Sequence, residues 1–242
     1  MKFFLLKVRL KLLQLTIKKA GLKNVGSHLL FPSAITEGGI VLDVGGNNGG
    51  FSKSFLAEFN AKYYLFEPNA ELHSGYIHDK RITIVSKAVS SENGLARFFL
   101  SNNSEASSFH ESISEIYGTS RVIEVETIRI NDWMKSNLIE QVDLVKLDVE
   151  GAELDILDKL ETNDFKCFNQ ITVEFHEKYD SNLLQGTINT INRMSDIGFR
   201  VVVFSSDTFE NVLFINNSMK IGFTSRFWLG VHALIQHYPS KN

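Results

Sequence analysis

Four groups of residues in this chain have the types and spacing to do chemistry. The first is Val41-Leu-Asp-Val-Gly-Gly-Asn-Asn-Gly-Gly-Phe51, an apolar run that ends in Asp43 and breaks into four glycines before a helical pattern resumes. The second, Phe66-Glu-Pro-Asn69, closes another apolar run on Glu67. Glycines let a backbone approach a ligand closely, and a carboxylate about 20 residues further on accepts ribose hydroxyls, so the pair predicts a nucleotide-like cofactor at the edge of a parallel sheet. The third and fourth groups, Asp148 with Glu150 and Glu174 with His176, follow two later apolar runs. Each pair is spaced by two, which puts both members on one side while strand geometry persists.

The first two groups discriminate between cofactors. A dinucleotide fingerprint needs glycines at its first, third and sixth positions, and Asn47 stands where the second belongs. Asp43, two residues before the first glycine, would also face a pyrophosphate as an uncompensated charge. S-adenosylmethionine carries a sulfonium, an ammonium and a ribose but no phosphate, which suits Asp43, close backbone contact at Gly45 and Gly49, and Glu67 on the diol. Asn47, Pro68, Asn69 and Ala88 complete the expected binding set. A methyltransferase is thus favoured over an NAD-dependent dehydrogenase, with a non-catalytic cofactor-binding module as the alternative from another class.

Methyl transfer is an in-line displacement that requires alignment, exclusion of water and removal of a proton from an alcohol. Asp148, Glu150, Glu174 and His176 are the expected catalytic residues, with His176 preferred as general base because its ordinary pKa lies near 6.5. Blander roles compete for each. Asp148 could orient backbone amides, Glu150 and Glu153 could be first-turn helix acids, and His176 could be a solvated loop residue. Lys146, inside an apolar run, is expected to pair with an acid. His28, His73, His78, His110, His232 and His237 have no supporting context. The four expected catalytic side chains also have the composition of a divalent-metal site; a metal is kept as an alternative and not favoured.

These residues need elements to hold them. Alternating short apolar runs and helical stretches predict a doubly wound, mostly parallel α/β sheet covered on both faces. Strands are expected at 40–44, 63–66, 82–89, 142–147 and 171–175, with an antiparallel closing pair at 199–204 and 211–215. Helices are expected at 51–59, 152–160, 181–194 and 226–237, and Asn131 and Ser181 are read as N-caps. The runs 95–100 and 122–130 read as an added β pair around a polar loop, 101–120, whose Ser107 and Ser108 could close over a ligand or simply face solvent.

Here the chain also resembles a known family. Asp43 to Phe51, Phe66 to Asn69, Lys87-Ala-Val-Ser-Ser-Glu-Asn-Gly94 and Val142-Asp-Leu-Val-Lys-Leu-Asp-Val-Glu-Gly-Ala-Glu153 together are similar to the FkbM family of S-adenosylmethionine-dependent methyltransferases. The resemblance covers roughly residues 38–205, and Lys146 to Glu153 is its most specific part. It implies a seven-stranded class I methyltransferase fold and transfer to a hydroxyl oxygen, often on a sugar, glycolipid or polyketide. Gly46 stands where that family usually has Ala or a similar small residue, a departure read as added loop freedom.

Charge is unevenly spread. The formal net charge is −3, but residues 1–36 carry Lys2, Lys7, Arg9, Lys11, Lys18, Lys19 and Lys23 and no acid. The remaining body is acidic, which argues against a nucleic-acid binder; the expected partner is a small-molecule or glycan acceptor. Residues 1–25 read as a basic amphipathic helical arm before a methyltransferase domain at 26–242. Its spread charges disfavour a membrane span, and no cleavage site follows a short apolar core, so a cytoplasmic location is expected. The arm either docks on the domain's own apolar surface with its lysines reaching water, or lies through residues 1–22 on an anionic inner membrane. The single Cys167 is assigned no chemistry.

Overall fold

In a computed structural model the chain is described over residues 2–76, 79–103, 107–110, 114–115, 118–177, 181–204 and 208–236, the side chains of 2–6, 119–120 and 181–182 apart. A long helix, α1 (Lys2–Ala20), leads into a small hairpin of β1 (Lys23–Val25) and β2 (His28–Leu30). Then come β3 (Gly39–Val44), α2 (Gly50–Leu56), β4 (Ala61–Phe66) and β5 (Ile82–Val85). The next strands, β6 (Ala88–Val89), β7 (Gly94–Ser101) and β8 (Thr119–Ile128), form a separate sheet, and α3 (Ile130–Ser136) leads back. The alternation resumes with β9 (Leu144–Leu147), α4 (Glu153–Asp158), β10 (Gln170–Val173) and α5 (Ser181–Asp196). It closes with β11 (Phe199–Val203), β12 (Val212–Asn216) and α6 (Phe223–Ile235).

The main sheet has seven strands in the order β5-β4-β3-β9-β10-β12-β11. Strands β5 to β10 are mutually parallel, and β12 runs antiparallel to both β10 and β11. Strict alternation explains why both faces are covered. Leu42 and Val44 of β3, Val212 and Phe214 of β12, and Phe199 and Val201 of β11 join one core with Trp133 of α3, Ile156 of α4 and Ile191 of α5. The intervening Val41 packs with Phe51 and Phe55 of α2. Val202, Leu213 and Ile215 pack with Ile17 of α1 and Leu229 of α6. A one-residue slip in any strand would exchange the two sets, so apolar residues on both faces fix the register.

Two expectations are corrected, and one element was not expected. The run 82–89 is two strands, because the Lys87 amide donates back to Val85 O at 2.8 Å. That tight turn sends Ala88 and Val89 to pair with β8. Asn131 is not an N-cap: Arg129 holds that position, and Asn131 uses its side chain to donate to Asp164 at 3.2 Å. The β1–β2 hairpin, unforeseen, spans the boundary expected after residue 25 and is tied to the sheet by Gln170, whose Oε1 accepts from Phe31 N at 2.8 Å. The cap proposed at Ser181, much of the 101–120 loop, His78 and His237 lie outside the described residues or side chains.

Candidate active site

The strands on either side of β3 are reached by opposite windings, so a crevice opens at the carboxyl edge between β3 and β9. A cavity of about 470 Å³ lies there, lined by Gly45, Gly46, Asn47 and Asn48 after β3 and by Glu67, Pro68 and Asn69 after β4. Ala88, Asp148, Glu150, Glu174, Lys146 and His28 also line it. This volume suits a small-molecule site.

On the β3–β4 side the glycine turn and the acid are built as one unit. Gly45 has a φ of +84°, and a Cβ there would fall 1.8 Å from Asp148 O. Any side chain would therefore push the ends of β3 and β9 apart. Asn47 also has a positive φ, 43°, a conformation Asn tolerates better than most residues. Its N–H donates to Glu67 Oε2 at 2.9 Å, and the Asn69 N–H donates to Glu67 Oε1 at 2.7 Å. Burial pushes the Glu67 carboxyl up to about 7, against the pull of those two amides. Each carboxyl oxygen keeps an acceptor position for a ligand hydroxyl, and the buried Asn47 Oδ1 has no hydrogen-bond partner among the described residues.

Two members of the expected binding set do not reach the cavity. Asp43 is fully buried, accepts from Tyr63 OH at 2.7 Å and faces Lys146 Nζ at 3.3 Å. Asp43 and Lys146 are cross-strand neighbours on β3 and β9. The ammonium also donates to Gly45 O at 2.6 Å and lies 3.2 Å from Asp148 Oδ2. Asp43 therefore holds the lysine that fixes the turn, and lies outside the cavity lining. Gly49 has a φ of +76°, and its would-be Cβ lies 2.5 Å from the Tyr76 ring, so its reason is the turn. Nor is Gly46 loop freedom: a Cβ there would sit 2.4 Å from Leu65 Cγ, in space that Leu65 fills.

The ends of β9 and β10 bring the four expected catalytic side chains together, in unequal states. Burial disfavours the Asp148 carboxylate, but Lys146 and His28 outweigh it and hold its pKa well below the usual range. Glu174 is raised to about 7, by burial first and the Asp148 charge second. His176 does not line the cavity. It is buried, with Nδ1 3.0 Å from Glu153 Oε1 and Nε2 3.1 Å from Glu150 Oε2. Burial works against its charge, but Glu153 and Glu150 raise it to about 12. In place of the ordinary imidazole near 6.5 that the sequence suggested, the ring of His176 lies between two carboxylates that favour its charged form. Glu153 also accepts from Val149 N at 2.9 Å and from Gly151 N at 3.1 Å, so it shapes the turn as well as holding the histidine. Glu150 in that turn has a φ of +55°, and its carbonyl accepts from Ser108 Oγ at 2.5 Å. Ser108 is thus a support for the acid turn, while Ser107 lines the cavity.

His28 is the residue that sequence reasoning missed. Buried on β2, it places Nε2 3.7 Å from Asp148 Oδ2 and 3.9 Å from Glu174 Oε2, and its ring meets Phe51 edge-on at 5.3 Å. Two overlapping sets, His28 with Asp148 and Glu174, and Asp148 with Glu150 and His176, have ligand atoms all within 4.8 Å of one another. That spacing would accept one divalent ion in either set.

Strand order, the antiparallel seventh strand and a cavity at the β3–β9 crevice define a class I, Rossmann-like methyltransferase fold. The model of the methyltransferase FkbM domain matches residues 43–201. The chain belongs to the FkbM methyltransferase domain family. It is similar to the 2-O-methyltransferase NoeI of Sinorhizobium fredii, 29% identical over 49% of this chain and 56% of that one. It is also similar to the hexuronic acid methyltransferase AglP of Haloferax volcanii, 29% identical over 60% of this chain and 59% of that one. The chain thus spans under two thirds of the length of either curated relative. Among solved structures, a Methanococcus jannaschii fibrillarin pre-rRNA processing protein matches with a TM-score of 0.44 and 13% identity over 83% of this chain and 72% of that one.

Proposed function

We propose that this protein transfers a methyl group from S-adenosylmethionine to a hydroxyl of a saccharide, glycolipid or related acceptor. The observation that carries the reading is Glu174, a cavity-lining carboxyl raised to about 7, in the same cavity as the glycine turn and Glu67. The bound donor would supply an electrophilic methyl on a sulfonium. Glu67 and the Asn69 segment would take its ribose, with Asn47 Oδ1 offering a further acceptor. Across the cavity Glu174, as carboxylate, takes the acceptor's proton as the oxygen–methyl bond forms and the sulfur–methyl bond breaks, leaving a neutral thioether. Asp148, kept ionised by Lys146, orients the acceptor hydroxyls through its oxygens, and the His176–Glu153 pair holds Glu150 in place.

One relative's name specifies transfer to an oxygen and the other's a sugar acid; taken together they support a sugar oxygen as acceptor. The lining narrows its charge: Glu67, Asp148, Glu150 and Glu174 face one lysine already committed to Asp43, Asp148 and Gly45. A neutral or amino sugar fits such a lining better than a carboxylate-bearing one, so the acceptor favoured here differs from the hexuronic acid in the second relative's name. Calorimetry with S-adenosylmethionine tests the donor half. One site in the parent and at least about tenfold weaker binding in Glu67→Ala, about 1.4 kcal/mol, is expected; no binding in either would end the reading. A second reading, a divalent ion gripping adjacent hydroxyls, rests on the 4.8 Å ligand sets and on Glu153 orienting His176 as a carboxylate orients a metal-bound imidazole. Turnover that survives EDTA would remove it.

A further inference from the structure

Both terminal segments of the sequence are basic. Residues 1–36 hold seven Lys and Arg and no acid. Residues 211–242 hold Lys220, Arg226 and Lys241 and again no acid, whereas the stretch between them holds all 28 acidic side chains. The fold brings the two segments together. Helices α1 and α6 pack antiparallel, with Arg9 Nε donating to Ile235 O at 3.2 Å near one end. Thr16 Oγ1 lies 2.7 Å from His232 Nδ1 in the middle, and Gly21 sits beside Ser225 near the other end.

Each helix buries one face, through Leu13, Ile17 and Ala20 on α1 and Leu229 and His232 on α6. Each also keeps a second apolar stripe in water. On α1 this is Val8, Leu12 and Leu15, between 40% and 44% exposed; on α6 it is Phe223, Phe227 and Leu234, at 85%, 55% and 88%. Their spacings of three, four and seven put each trio on one side of its helix. Among the described residues, these two helices hold six of the ten exposed large apolar side chains, a concentration that marks an interaction surface. Lys7, Lys11, Lys18 and Lys19 are exposed on α1 and Arg226 on α6. Arg200 of β11 lies close enough to Arg226 for that charge, after burial, to lower its pKa. No helix among the described residues is long and apolar enough to cross a membrane.

We propose that α1 and α6 together form a docking surface for an anionic phospholipid bilayer, with the two apolar stripes at the acyl boundary and the basic side chains among the headgroups. Docking of α1 on the domain and contact with lipid are then compatible, because they use different faces of one helix. A second copy of the chain is disfavoured as occupant, since a symmetric contact would set two all-basic surfaces against each other. A nucleic-acid backbone would satisfy the charges and leave the phenylalanines and leucines in water.

The test is co-sedimentation of the full chain with vesicles of phosphatidylcholine alone and of phosphatidylcholine mixed with phosphatidylglycerol. Pelleting with the mixed vesicles only, weakened by salt, is expected. The Lys7→Gln, Lys11→Gln, Lys18→Gln triple variant should lower partitioning about fivefold per charge. The Phe223→Ser, Phe227→Ser, Leu234→Ser variant should lower it on the order of tenfold or more. All six positions are exposed, so an unchanged melting temperature controls for folding. No pelleting, equal pelleting with both vesicles, or parent-like binding by the apolar variant would overturn the proposal. So would a dimer in light scattering that the apolar variant dissolves while neither protein binds vesicles.

Discussion

The ends of β9 and β10 lie side by side in register, Leu147 opposite Val173, and each delivers a carboxyl group to the same cavity one residue later. Asp148, at the first, is held ionised by Lys146 3.2 Å away. Glu174, at the second, is raised to about 7 by burial and by the Asp148 charge. A lysine inside an apolar strand, helped by His28, therefore sets two neighbouring acids apart, one a held anion and one raised to about 7, and the proposed role of Glu174 as proton acceptor rests on that difference. Environments that push paired titratable groups apart are what assign acid–base roles.

The largest expected effect comes from removing the acceptor of the proton. Glu174→Gln should lower kcat by roughly 10²- to 10⁴-fold with S-adenosylmethionine affinity unchanged by calorimetry. In the parent, kcat/KM should rise with pH to a plateau above about 7, because only the ionised Glu174 carboxylate accepts a proton; that limb should vanish in the variant. Removing the lysine should cost stability as well as the division of roles. Lys146→Met leaves Asp43 and Asp148 without their cation, and urea unfolding should show a loss of about 3–5 kcal/mol, together with a rise in the Asp148 pKa. Smallest is Ser108→Ala, which takes the hydroxyl from the partly buried Glu150 carbonyl and should cost about 0.5–1.5 kcal/mol in the same measurement.

Much of this was legible in the sequence because strand-end positions are local. The glycine turn, Glu67, Asp148, Glu150 and Glu174 each follow directly on an apolar run, and the doubly wound sheet followed from alternation. What was not legible depends on partners distant in sequence. Asp43 and Lys146 are 103 positions apart, and only sheet order makes them neighbours. His176 looked like a free imidazole because Glu153, which clamps it, reads locally as a helix acid. His28 offered no signal, since its role arises from a hairpin that folds back over the carboxyl edge of the sheet. The single-strand reading of 82–89 failed for the opposite reason: a single tight turn at Lys87, too short to interrupt the apolar pattern.

The division of roles between β9 and β10 is tested most directly by a carbon-detected NMR titration of the Asp and Glu carboxyl groups in the parent and in Glu174→Gln. The account predicts a carboxyl with its midpoint near 7 that disappears in the variant, and an Asp148 carboxyl that stays ionised well below the ordinary carboxylate range. A Glu174 titrating near its ordinary value of 4.5, or an Asp148 titrating above it, would contradict the account.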